Sequence, residues 1–302
     1  MRAVVIHETG GPEVLRCEDV PDPEPAGGEV LIRVRAASVN PVDWKFRRSM
    51  DADRLPMVPG RDLSGTVLQS RADGFAEGDP VLGSAGSGGY AELDTSPASA
   101  IARKPDELTW EQAAALPVAG ITAWQALFDH GGLESGQTAL IAGASGGVGH
   151  LAVQFAKHAG AEVIGTASGR NRDFVLGLGA DRFVDYTSED VAQAVQGVDL
   201  AFDTVGGPVT ETLLPAVREG GILVCIAGMP PEDAARERGV RTDIFSASPT
   251  TEQLARIADL VVSGEARVAI AEVLPLSEAR RAHELSEAGH VRGKLVLRVG
   301  DS

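Results

Sequence analysis

The chain has 302 residues, 43% of them hydrophobic and 23% charged, a globular balance that excludes wholesale disorder and suffices for two domains. Its formal net charge of −16 argues against nucleic acid and membrane surfaces as partners, so any anion it binds must meet a local positive site. Cys17 and Cys225 are the only cysteines, which excludes a disulfide framework or a CxxC metal site and suits a reducing cytosol.

The opening MRAVVIHETG reads as a first strand, because its apolar run is too short for a signal segment or a membrane span. The expected location is cytoplasmic. Up to residue 100 the pattern is β-rich: VLIRV at Val30–Val34, GTVL at Gly65–Leu68 and PVLG at Pro80–Gly83 are separated by Gly and Pro clusters, as in a compact barrel or sandwich. A helix starts near Thr109, whose hydroxyl can cap it, and Pro117 breaks or kinks it.

From Gln137 strands and helices alternate. TALIAGA, AEVIGTAS, RFVDY, VDLAFDTVGG and GGILVCIAG read as strands, with GHLAVQFAKHAG and NRDFVLGLGA as helices between the first three. Strict alternation predicts an α/β fold with a doubly wound parallel sheet. Met229–Pro249 reads as a long polar loop. TEQLARIADLVVSGE and SEARRAHELSEAGH are amphipathic helices. The last strand, KLVLRV, has no place in the parallel pattern and is expected to return to the first domain.

LIAGASGGVG (Leu140–Gly149) follows an apolar strand and opens a helix, the context in which a glycine turn binds a dinucleotide. Gly146 and Gly149 take the pyrophosphate-approach and helix-packing positions, while Ala144 stands at the tight-turn position with Gly143 before it. The amides of Gly147 and Val148 are then expected to face the pyrophosphate. An NAD site usually places an acid about 20 residues further on, to accept the ribose hydroxyls. Here the chain reads Ser168-Gly169-Arg170-Asn171-Arg172, with no acid until Asp173. Ser168 and Arg170 suit a 2′-phosphate, so NADPH is the expected cofactor.

Eight segments in order resemble the zinc-free quinone oxidoreductase and enone reductase branch of the medium-chain dehydrogenase/reductase superfamily. They are ASVNPVDWKFR (Ala37–Arg47), VPGRDLSGTV (Val58–Val67), GGYAEL (Gly88–Leu93), AALPVAGITAWQAL (Ala114–Leu127), the glycine turn, LGADRFVDY (Leu178–Tyr186), DTVGG (Asp203–Gly207) and GHVRGKLVL (Gly289–Leu297). The resemblance implies a GroES-like domain from residues 1–115 and 266–302, a Rossmann domain from 116–265, a cofactor cleft and a homodimer. It implies that Asn40 and Lys45 line the nicotinamide end, that Thr122 lies near the nicotinamide ribose, and that Tyr186 lies near the 2′-phosphate. Val205, Gly228 and Lys294 would lie along the cofactor. Where zinc-dependent relatives carry metal ligands, this chain reads Val39-Asn40-Pro41 and Arg61-Asp62, and its six histidines have no ligand spacing. No metal is expected.

The resulting expectation is hydride transfer from NADPH to a small electrophile, a quinone or an α,β-unsaturated carbonyl. Lys45 is the candidate cation, in reach of the developing oxyanion or of the nicotinamide ribose. Trp44 and Phe245, with Phe46, either wall a flat ring or belong to the core. Asp43 reads as a partner for a backbone amide or an Arg, and Tyr90 and Cys225 as packing residues. Two other functions fit the same residues: a tailoring reductase for a larger enone, and a non-catalytic NADPH-binding sensor or scaffold.

Overall fold

The computed structural model describes residues 1–300. The chain folds into two compact units, one of residues 1–121, 249–264 and 268–300, the other of residues 122–248 and 265–267.

The first unit opens with β1 (Arg2–Val5) and β2 (Arg16–Asp19), an antiparallel pair. β3 (Glu29–Val39), β4 (Asp62–Ser70), β5 (Pro80–Ser84), β6 (Leu93–Pro97) and β7 (Ile101–Arg103) follow. The alternation of VLIRV holds over the first part of the 11-residue β3, burying Val30, Ile32 and Val34, and ends at Ala36–Val39, where every residue is buried. Such period-2 burial sets a strand on a one-sided core. Helix Pro41–Ser49, which the β-rich pattern concealed, starts from Asn40 with Pro41 in its first turn, where proline's missing N–H costs nothing.

Helix Trp110–Ala114 begins as expected. Thr109 Oγ1 accepts from the Gln112 amide at 3.1 Å, and Gln112 Oε1 accepts from the Thr109 amide at 3.0 Å. Pro117 opens a new helix, Pro117–Trp124.

The second unit carries β8 (Thr138–Ala142), β9 (Glu162–Ala167), β10 (Arg182–Asp185), β11 (Val198–Asp203), β12 (Val217–Cys225) and β13 (Arg241–Ile244). They form one parallel sheet in the order β10-β9-β8-β11-β12-β13, so the sheet reverses direction of growth between β8 and β11. The apolar runs of β8 and β11 are buried, as strands covered on both faces require.

Met229–Pro249 is not a loop throughout. It contains helix Glu232–Glu237 and β13, which pairs with β12 in the register Ile222↔Arg241 to Cys225↔Ile244. Only Ala235 and Val240 of this stretch enter the unit's core cluster, so an edge strand and a one-turn helix left little apolar periodicity to read.

Back in the first unit, β14 (Ile270–Pro275) and β15 (Lys294–Arg298) complete a seven-stranded sheet in the order β14-β15-β3-β4-β5-β7, with β6 on β3. β15 runs antiparallel to β3, Leu295 opposite Val39 and Arg298 opposite Ala36. The last strand does return to the first domain. No helix among the described residues is long and apolar enough to cross a membrane.

Thr109→Ala removes a reciprocal cap and is expected to lower unfolding stability by about 1 kcal/mol, read by chemical denaturation; an unchanged midpoint would show the cap to be energetically idle.

Candidate functional site

In a doubly wound sheet, ligands bind beyond the carboxyl ends of the strands at the point of reversal. In the second unit that point is the end of β8 beside β11. Gly143 leaves β8 with φ +69°, a conformation glycine adopts freely, so Gly143 makes the tight turn and Ala144 follows it. The Gly146 amide donates to the Gly143 carbonyl at 2.9 Å. Helix Gly149–His158 then starts so close that a Cβ on Gly149 would lie 2.2 Å from that same carbonyl oxygen. At Gly146 a Cβ would meet one atom within 4 Å, that same carbonyl oxygen at 3.3 Å, so no side chain covers the outer face of this glycine. No backbone carbonyl among the described residues accepts from the amides of Gly147 or Val148. These groups fit a diphosphate: open space over one glycine and unclaimed donors at a helix start.

Three residues that sequence reasoning passed over hold this turn. His150 sets its ring against the Gly146 carbonyl, with Nδ1 at 2.9 Å. Thr204 donates its hydroxyl to Ala142 O at 2.7 Å. Buried Asp203 accepts from the amides of Val205 and Gly206 at 2.8 and 2.9 Å and from the Thr210 hydroxyl at 2.5 Å. Backbone then packs on backbone, since a Cβ on Gly206 would meet the Ala227 carbonyl at 2.4 Å and one on Gly228 the Gly207 nitrogen at 3.0 Å.

The other expected cofactor residues of this unit, apart from Thr122, sit on the same edge. Ser168 and Arg170 follow β9, Tyr186 follows β10, Val205 follows β11 and Gly228 follows β12. Tyr186, Val205 and neighbouring Met229 are 57%, 50% and 70% exposed, an apolar allowance left uncovered at one rim. Thr122 is buried on helix Pro117–Trp124.

Asn40 and Lys294 meet in the first unit. Both are 3% exposed, and the Lys294 ammonium donates to Asn40 Oδ1 and, at 3.3 Å, to Val39 O. Asp62 Oδ2 accepts from Ser38 Oγ at 2.6 Å and Asn40 Nδ2 at 2.8 Å, Asp62 Oδ1 accepts from the Val118 amide at 2.8 Å, and Lys294 Nζ lies 3.9 Å away. Burial raises the Asp62 pKa against the pull of Lys294, and burial lowers that of Lys294 against the pull of Asp62 and Asp43. Each charge limits the other's desolvation cost.

Asp43 does serve a backbone amide, that of Asn40 at 2.9 Å, and takes the Tyr90 hydroxyl at 3.0 Å. Tyr90 therefore packs with its polar end spoken for, against His283 Nε2 at 3.3 Å, and Arg47 donates to His283 Nδ1 at 2.9 Å. Burial lifts the Asp43 carboxyl to about 7, and burial together with Arg47 presses His283 to about 3. Cys225 is fully buried, its thiol pushed up to about 12 by burial.

Lys45 lies apart from this cluster. It is exposed on helix Pro41–Ser49, its Nζ 5.8 Å from the centroid of the Trp44 ring. Trp44, Phe46 and Phe245 are not core residues: Trp44 is half-buried, Phe46 is 37% exposed, and Phe245 stacks on His130 at 4.1 Å. Basic groups cover the first two, with Arg48 over Trp44 and Arg61 over Phe46, as aromatic faces at a surface attract cations.

Among the described residues no three His, Cys, Asp or Glu side chains come together to hold a metal. The set at Asn40 is an amide, a carboxylate and an ammonium, which does not fit a zinc dication.

Residues 26–106 match the alcohol dehydrogenase GroES-like domain family, and residues 178–297 match the zinc-binding dehydrogenase family. The chain is 35% identical to the chloroplast envelope quinone oxidoreductase homolog of Arabidopsis thaliana, with 95% of each covered. This chain belongs to the quinone oxidoreductase branch of the medium-chain dehydrogenase/reductases. Another member, the NADPH-dependent alkenal/one oxidoreductase of Arabidopsis thaliana, is 32% identical over 98% of this chain and 79% of that protein. The structure of the quinone oxidoreductase from Coxiella burnetii superposes with a TM-score of 0.94 at 37% identity, covering 99% of both chains. The branch thus combines the GroES-like and parallel-sheet units described above.

Asp43 gives a pH test. Its folded pKa of about 7 lies above the ordinary 3.8, so between those values the native state holds a proton that the unfolded chain has released, and stability falls as pH rises. Asp43→Asn is expected to gain stability relative to wild type across this window, followed by denaturant unfolding at several pH values; a constant difference would show that Asp43 does not titrate there.

Proposed function

We propose that this chain is an NADPH-dependent oxidoreductase that reduces quinones or α,β-unsaturated carbonyls. The observation that carries the reading is the glycine turn, where the open face of Gly146 and the free amides of Gly147 and Val148 form a diphosphate cradle at the reversal point of a parallel sheet. Bound NADPH supplies a hydride to the electrophile. Ser168, Arg170 and Tyr186 hold the adenosine end, and Val205 and Gly228 line the neighbouring strand ends.

The protein's own task is to place charge and exclude alternatives. As the electrophile accepts electrons, negative charge grows on its oxygen, and a preorganised cation lowers the barrier. Lys45 has the exposure such contact needs. Asn40, Lys294 and Asp62 act as positioning residues, since their buried hydrogen bonds fix the start of the helix that carries Lys45. The names of the relatives support both acceptor classes. A homodimer and a cytoplasmic location complete the proposal.

Loss of nicotinamide absorbance is expected with NADPH and a panel of quinones, enals and cyclic enones. NADPH binding without turnover on any of them would instead favour a sensor or scaffold. Lys45→Ala is expected to cut kcat/KM at least about tenfold, a part of the usual value of an oxyanion-stabilising group; full turnover in the variant would remove Lys45 from the reaction.

A further inference from the structure

We propose that Asp185 is a specificity-determining residue, its negative charge beside the β9 turn limiting how strongly the protein prefers NADPH over NADH. The inference rests on reading the second unit as a dinucleotide platform.

In this fold the ribose 2′ substituent meets the end of the second strand of the sheet. That strand is β9, and its end is the turn Ser168-Gly169-Arg170. The local sequence contains no acid there, but the sheet register supplies one. β10 runs parallel beside β9 with Asp185 opposite Ala167, so the carboxylate arrives from the neighbouring strand. Its contact with the turn is tight: a Cβ on Gly169 would lie 2.3 Å from Asp185 Oδ2. A side chain at position 169 would have to displace the carboxylate.

The carboxylate is anchored as well as close. Asp185 Oδ1 accepts from the Thr187 hydroxyl at 2.7 Å and the Thr187 amide at 3.0 Å. Those bonds, the hydroxyl first, hold its pKa below the ordinary carboxylate range, so it is ionised at neutral pH.

Two opposite charges therefore bracket one short turn. The Arg170 guanidinium favours a 2′-phosphate, which carries close to two negative charges and accepts several hydrogen bonds. Asp185 opposes the same phosphate, yet a carboxylate is a good acceptor for the 2′-hydroxyl of NADH. The balance lowers discrimination. Removing the negative charge without changing shape tips it toward NADPH.

Calorimetric titration of wild type and Asp185→Asn with NADPH, NADH, 2′,5′-ADP and 5′-ADP tests this. The variant is expected to bind NADPH and 2′,5′-ADP about tenfold more tightly, the effect of one charge a few ångströms from a phosphate near a protein surface. NADH and 5′-ADP are expected to bind no better, and the melting temperature shows whether the variant folds. Asp185→Ser provides the same readout if the amide variant does not fold. Equal ratios in wild type and variant, or equal tightening of all four ligands, would overturn the role of Asp185 while leaving the platform intact. A wild type that binds none of the four overturns both.

Discussion

Everything on the binding edge of the second unit depends on one close approach of backbone to backbone. The carbonyl of Gly143 and the α-carbon of Gly149 leave no room for a side chain between them. That contact seats the first turn of a buried helix on the end of a central strand. Once it is made, the remaining carbonyls and carboxylates nearby are consumed internally: Gly146 O by His150, Ala142 O by Thr204, Asp203 by the β11 turn. The donors at Gly147 and Val148 are left over. A surplus of amides with no matching surplus of acceptors is what makes a peptide turn attract an anion.

This local chemistry has to work against the global charge. At −16, the chain repels an anionic ligand at long range, and salt screens that repulsion beyond about 8–10 Å. Within that distance only fixed dipoles and individual guanidinium groups act. The first unit treats its buried charges by the same local accounting, with Lys294 set against Asp62 and Arg47 against Glu287. Neither unit relies on a broad electrostatic field.

The amount legible in the sequence follows the strength of each physical signal. Central strands were legible because burial on both faces makes them near-continuous apolar runs, as in β8, most of β11 and the Gly221–Cys225 end of β12. The glycine turn was legible because backbone contact tolerates no other residue, although the tight-turn role falls to Gly143. β15 could be assigned by exclusion, since two amphipathic helices separate KLVLRV from the last of the alternating strands. β13 was hidden since an edge strand with charged Arg241 and Asp243 shows no apolar pattern. Helix Pro41–Ser49 was hidden since its buried residues include Asp43 and Arg47, polar groups that periodicity arguments count as exposed. Asp185 was missed for a different reason: strand register, not chain distance, delivers it to the β9 turn. The pairing of Asn40 with Lys294, 254 positions apart, is likewise a matter of topology, visible only once β15 lies beside β3.

The return of β15 also orders events during synthesis. The part of β3 from Ala36 to Val39 waits for partners at Leu295 to Arg298, which leave the ribosome after the whole second unit. Meanwhile nearly all of the second unit lies in one continuous stretch, Thr122–Ser248, and can close as soon as it emerges. A nascent chain therefore carries an open strand edge while a finished domain already hangs behind it. Open edges are where chains pair with the wrong neighbour, so the interval between the two closures is the period of greatest exposure to misassembly.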